Sequence, residues 1–180
     1  ERILRKKEHS YRVMNFAKSI AESLKLNEAD IYIATLAGLV HDIGRFNQLK
    51  FYGTFKDSES IDHGDEGYRV LCDFIDKFTE DKKTQNIVLS ATKYHNKCKI
   101  GDVDEQTKIF CKIVRDADKL DIIETQINEV NSENIVIKDE LLKSIYKKEI
   151  CKNDYCETEE DAVLRMISWI FDLNFAYSYK

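Results

Sequence analysis

Apolar residues recur at intervals of three and four along most of this chain, the spacing of helices with one buried face. Val13, Phe16, Ala17, Ile20 and Leu24 predict a helix over residues 3–25. Asn27 suits the cap of a second helix, with Asp30 near its positive end. That helix reads as buried, ADIYIATLAGLVHDIG, and runs to about Ile43, where Gly44 suits its end. Residues 46–62, FNQLKFYGTFKDSESID, break the pattern and predict a long polar loop with aromatic anchors, the kind of segment that walls or covers a site. Helical spacing returns over 64–79 (Val70, Leu71, Phe74, Ile75, Phe78), over 83–96 (Ile87, Val88, Ala91, Tyr94) and over 104–128 (Ile109, Ile113, Ala117, Leu120). Two more helices are expected over 134–150 and 158–177, the last carrying Val163, Met166, Ile167, Ile170 and Phe171. The pattern predicts an all-α bundle of six or seven helices.

Composition sharpens this picture. The 180 residues include no proline and six glycines, so little interrupts helices. The length fits one domain over 1–180, with a motif-bearing core at 5–125 and the helices of 130–180 packed on it. The net charge of −5 provides no global basic field, so neither nucleic acid nor an anionic membrane is an expected partner. No apolar run approaches the roughly 20 residues of a membrane span. Five scattered cysteines (Cys72, Cys98, Cys111, Cys151, Cys156) predict reduced thiols in a cytoplasmic protein. His95-x-x-Cys98 and Cys151-x₄-Cys156 lack partners for a structural zinc site.

The buried second helix ends in His41 and Asp42, and burying both without partners is expensive. The chain has only three other histidines, His9, His63 and His95, each on a different predicted element at or near an inward face. A lone histidine on a helix face is commonly a satisfied core residue; four on separate elements, one beside an aspartate, point instead to metal binding. Asp118, in RDADKLD, falls one turn after Val114 and points partly inward, although helical spacing alone also allows Asp121. Imidazole and carboxylate ligands suit first-row divalent metals. With one oxygen for each of two ions, Asp42 would join a site of His9, His41 and Asp118 to a second of His63 and His95. Two ions about 3.5–4 Å apart can clamp a phosphate for in-line attack.

The ordered set His9, His41-Asp42, His63, His95, Asp118 resembles the HD-domain superfamily of metal-dependent phosphohydrolases, in which HDIG is a common form of the motif. That resemblance covers about residues 5–125. It implies a helical bundle with a central metal site and favours Asp118 over Asp116 and Asp121. The longer histidine set is similar to that of dinuclear members, including HD-GYP phosphodiesterases of cyclic dinucleotides. DHGDEGYRVL around His63 looks like their stretch as well. Arg45 stands where those proteins have lysine, Tyr94-His95 where they have paired histidines, and NKCKIGDVDE lacks the GYP motif. The acidic pair of alarmone-hydrolysing relatives is also absent.

The resemblance therefore implies hydrolysis of a nucleotide or other small phosphate ester by a metal-bound hydroxide at a dinuclear site. Fe, Mn, Ni, Co and Mg are the candidate ions. Asp42, Arg45 and Lys119 are the expected catalytic residues: Asp42 as the bridge, Arg45 holding phosphate bidentately and Lys119 assisting it. Lys50, Lys93 and Lys97 are weaker phosphate candidates, and Asp62 and Asp65 could orient imidazoles. Two other outcomes are a di-iron oxygenase of the same superfamily and a non-catalytic metal- or nucleotide-binding sensor. The last helix offers a homodimer surface.

Overall fold

The structure, a computed structural model, describes residues 1–126, 138–152 and 156–180. It is all-helical, as the hydrophobic spacing predicts. In order the α-helices are α1 (Arg2–Ser23), α2 (Glu28–Val40), α3 (Gly44–Tyr52), α4 (His63–Cys72), α5 (Lys82–Tyr94), α6 (Glu105–Gln126), α7 (Asp139–Tyr146) and α8 (Glu159–Ser168). Residues 127–137, which hold the end of the helix expected over 104–128 and the start of that expected over 134–150, lie outside the described residues.

Helix α2 is the centre. The Asn27 side chain accepts from Asp30 N–H at 2.9 Å and starts it. Its Ile33, Ala34, Leu36, Ala37 and Val40 are buried in several directions at once. It packs against α1, α5 and α6, so a polar helix face has nowhere to sit. The core is completed by Val13, Ala17 and Ile20 of α1, Ile87, Val88 and Ala91 of α5, and Phe110, Ile113, Val114 and Ala117 of α6.

Two local expectations change. Residues 46–62 do not form one loop: Gly44–Tyr52 is helix, closed at Gly53 in the left-handed conformation (φ 69°). Its inward position is occupied by Gln48, which is fully buried, so the apolar period is hidden. The Gln48 amide donates to Asp57 Oδ1 (2.9 Å), Ser60 Oγ (2.9 Å) and the Ile61 carbonyl (3.0 Å), tying the remaining loop to α3. Gly44 opens α3 rather than closing α2. A Cβ there would stand 2.2 Å from the His63 carbonyl oxygen and 2.5 Å from Gly67 N, so glycine permits the close approach of α3 and α4.

The C-terminal helix also stops earlier than expected. After α8 come a 3₁₀ turn at Trp169–Asp172, an extended Leu173 and a second 3₁₀ turn at Ala176–Tyr179. The cause is Asp116, wholly buried on α6. Its carboxylate accepts from Asn174 N (2.9 Å), Phe175 N (3.2 Å) and Ser178 Oγ (2.7 Å), and continuous helix could not present those donors together. Among the described residues no helix is long and apolar enough to cross a membrane.

Gly44→Ala is expected to lower stability by about 2–3 kcal/mol, the upper part of the 1–3 kcal/mol range typical of overpacking, because the atoms it meets are backbone. Chemical denaturation compared with wild type measures this; an unchanged midpoint would contradict the close approach.

Candidate metal centre

His41 and Asp42 lie just past the end of α2, His9 on α1, His63 at the first residue of α4, His95 just past α5 and Asp118 on α6. The six come from five helices or helix ends, His41 and Asp42 sharing the end of α2, and the bundle brings them together. His9 Nε2 lies 3.3 Å from His41 Nε2 and 3.1 Å from Asp118 Oδ1. His63 Nε2 lies 3.0 Å from His95 Nε2. Between these two groups stands Asp42. Its Oδ2 is 3.5 Å from His9 Nε2 and 3.9 Å from His41 Nε2; its Oδ1 is 3.5 Å from both His63 Nε2 and His95 Nε2. Two sets of ligand atoms, His9–His41–Asp118 and His41–Asp42–His95, each lie close enough together to hold one ion; they have His41 in common, and His63, expected beside His95 and Asp42, is in neither.

The other ring nitrogens explain why the Nε2 atoms converge. His41 Nδ1 donates to the Gly38 carbonyl and His95 Nδ1 to the Thr92 carbonyl, both at 2.7 Å. His9 Nδ1 donates to Asp121 Oδ2 (2.6 Å) and His63 Nδ1 to Asp57 Oδ2 (2.7 Å). With every Nδ1 hydrogen committed, the neutral rings carry their lone pairs on Nε2, pointing inward. The four rings are nearly inaccessible to solvent. Lone pairs 3.0–3.3 Å apart repel unless a proton or cation lies between them. Imidazole nitrogens with carboxylate oxygens are donors that suit a divalent metal, and the residues fit such an ion.

Electrostatics agrees. Burial alone would raise Asp42, but Lys6 and the surrounding imidazoles hold its carboxyl well below the ordinary carboxylate range. Asp118 is likewise held down against burial by His41 and His9. Burial lowers His63, with Asp57 opposing it in part. For His9, burial is more than offset by the hydrogen bonds to Asp118 and Asp121, and its pKa is pushed up to about 9. Without metal, therefore, His9 keeps a proton at neutral pH that an entering cation must displace.

Several residues take places the sequence did not assign. Asp57 and Asp121 are the carboxylates that orient imidazoles. Asp121, weighed as a rival ligand, sits behind His9 and is also bound by Arg12 Nε at 2.5 Å. Asp62 instead caps α4, accepting from Gly64 N and Asp65 N, both at 3.0 Å. Together with Asp65 it pairs with Lys97. Lys6, which the sequence did not single out, places its ammonium 2.8 Å from Asp42 Oδ2; its spacing one turn before His9 was the available signal. Arg45 reaches the cluster, its Nε 3.5 Å from Asp42 Oδ1, while Nη1 donates to Gln48 Oε1 (2.8 Å), Asp57 Oδ1 (3.0 Å) and the Phe55 carbonyl. Lys119 is paired with Asp172 at 2.6 Å rather than with any residue of the cluster. Lys93 lies over the Tyr68 ring and Lys50 over the Phe51 ring.

The HD domain family model matches residues 7–123, which include every residue of the cluster. The chain belongs to the HD domain family. HD domains generally are metal-dependent phosphohydrolases that bind divalent ions, and the match ends near the foot of α6. No curated protein matches the chain.

Two measurements follow. Asp57→Asn, which leaves His63 with a weaker orienting acceptor, is expected to weaken metal binding about 10–100-fold, read by competition with a chromophoric chelator. The second concerns pH. The folded His9 value of about 9 exceeds the ordinary 6.5, so its contribution to stability is fully present below pH 6.5 and is lost as pH rises through 9. Chelator-treated protein should melt at falling temperature across that window, and His9→Gln should flatten the dependence.

Proposed function

We propose that the chain is a metal-dependent phosphohydrolase that cleaves a small phosphate ester, a nucleotide in the first instance, at a dinuclear centre. The observation that carries this reading is the convergence of four buried Nε2 atoms on the two oxygens of Asp42, with the Asp118 carboxylate against His9 and His41. When bound, divalent ions supply Lewis acidity toward phosphate oxygens and toward the attacking water.

The chain's own groups do the rest. Asp42, with one oxygen toward His9 and His41 and the other toward His63 and His95, would hold metal from both sides. Asp121 and Asp57 hold the His9 and His63 rings in one orientation, so no reorganisation is needed when substrate arrives. Phosphate charge falls to two cations that border Asp42. Arg45 Nε is buried and has no hydrogen-bond partner of its own, and it is the donor free to meet a phosphoryl oxygen. Lys6 supplies a mobile point charge from the opposite oxygen of Asp42. Lys119, locked to Asp172, acts on the C-terminal segment in this reading and not on phosphate.

Simultaneous His41→Ala and Asp42→Ala changes should remove metal uptake and hydrolysis together. The expected fall in kcat/KM is at least a thousandfold, or about 4 kcal/mol of transition-state stabilisation. Phosphate release from nucleotides and aryl phosphates measures it, alongside metal analysis of the same preparation. Wild-type rates in the double variant would refute the reading. Two irons with substrate-dependent oxygen uptake would move it to the oxygenase alternative, and nucleotide binding without turnover to a sensor.

A further inference from the structure

A cleft of about 660 Å³ opens beside His9 between α1 and α6. Its volume suits a whole small-molecule ligand rather than a single phosphate. One wall is a basic stripe along α1, formed by Arg2, Arg5, Lys6 and Arg12 at helical spacing. These cations are not equivalent. Arg12 is bound by Asp121, and Lys6 by Asp42. Arg2 donates only to the Gly53 carbonyl, at 2.8 Å. Arg5 is exposed and forms no ion pair with any described residue. Glu8 and Glu124 also line the cleft, and neither is paired with Arg2 or Arg5.

A second observation concerns Phe55, on the segment between α3 and Asp57. Three cations gather round its ring: Arg2 at 4.9 Å, Lys6 at 5.6 Å and Arg45 at 6.0 Å from the centroid. The ring face attracts each of them. Asp42 and Asp57 compensate Lys6 and Arg45, whereas Arg2 has no carboxylate partner among the described residues, so Arg2 and Arg5 are the cations left to meet an anion. At a rise of about 1.5 Å per residue, Arg5 and Arg2 lie roughly 6 and 10 Å along α1 from His9.

We infer that the cleft is a second phosphate subsite. The substrate then carries two phosphates: one at the cluster, where it is cleaved, and one held by Arg5 and Arg2. Arg5 and Arg2 set specificity and touch no reacting atom. This rests on the phosphohydrolase reading for the cleavage step but not for binding.

The test uses the full chain, first stripped of metal and titrated calorimetrically with adenosine 3′,5′-bisphosphate and with AMP. It is then reloaded with manganese and assayed on both. The bisphosphate should bind at least tenfold more tightly than AMP. Arg5→Gln should reduce that ratio to near one, and on the reloaded protein raise KM for the bisphosphate with kcat retained. Lys7→Gln, whose ammonium lies over the Tyr11 ring away from Phe55, should leave the ratio unchanged. Equal binding of the two nucleotides by the wild type, or an undiminished ratio in Arg5→Gln, overturns the subsite. If the reloaded protein cleaves neither nucleotide nor any other phosphate ester, the phosphohydrolase reading falls, and the binding ratio still decides the subsite.

Discussion

Four imidazoles in a dry interior, edge to edge with nitrogen facing nitrogen, are tolerable only if something positive sits among them. That constraint organises this molecule. Two of the rings are aimed by backbone carbonyls one turn earlier on their own helices, Gly38 for His41 and Thr92 for His95. The other two are aimed by carboxylates, Asp121 of the distant α6 for His9 and Asp57, six residues upstream, for His63. The difference has a consequence. The first pair is preorganised by the helix ends themselves, whereas the second pair depends on α6 and on the segment after α3 being in place.

Much of the surrounding structure serves to hold those outer contacts. Gln48 is buried at the expense of an apolar side chain, and its amide fixes Asp57, Ser60 and Ile61. Arg45 closes on the same segment from the other side. Gly44 lets α3 sit against α4, so that His63 and Asp57 meet. On the far face of α6, Asp116, Arg115 and Lys119 bind the C-terminal segment through Asn174, Ser178 and Asp172. The helix that presents Asp118 to the cluster is thereby anchored from behind. A polar network of this size is stable only because nearly all of its members are satisfied.

The charge distribution carries the same logic outward. Asp42 is neutralised on one oxygen by Lys6 and approached on the other by Arg45, so the cluster borders positive charge on two sides. Phe55 gathers these cations with Arg2, and the basic stripe of α1 continues along the neighbouring cleft. In a chain of net charge −5, the histidine–aspartate cluster thus has cations beside it.

Helical class, the central burial of α2, the Asn27 cap and the inward placing of His9, His41, Asp42, His63, His95 and Asp118 were legible in the sequence. Periodicity and residue chemistry are local properties that one chain displays by itself. Asp57 and Asp121 were not legible as imidazole partners, because acids on polar stretches look alike until the fold sets one of them 2.6–2.7 Å from a ring. Helix α3 escaped notice because its buried position is a glutamine, whose burial makes sense only against the loop it binds. Lys119 adjoins Asp118 in sequence, yet a step of one residue turns a helix by about 100° and delivers its ammonium to Asp172. Sequence determined which groups were available for chemistry; only the packing of helices decided which nitrogen, oxygen or ammonium each one faced, since that depends on contacts between elements as far apart in the chain as His9 and Asp121.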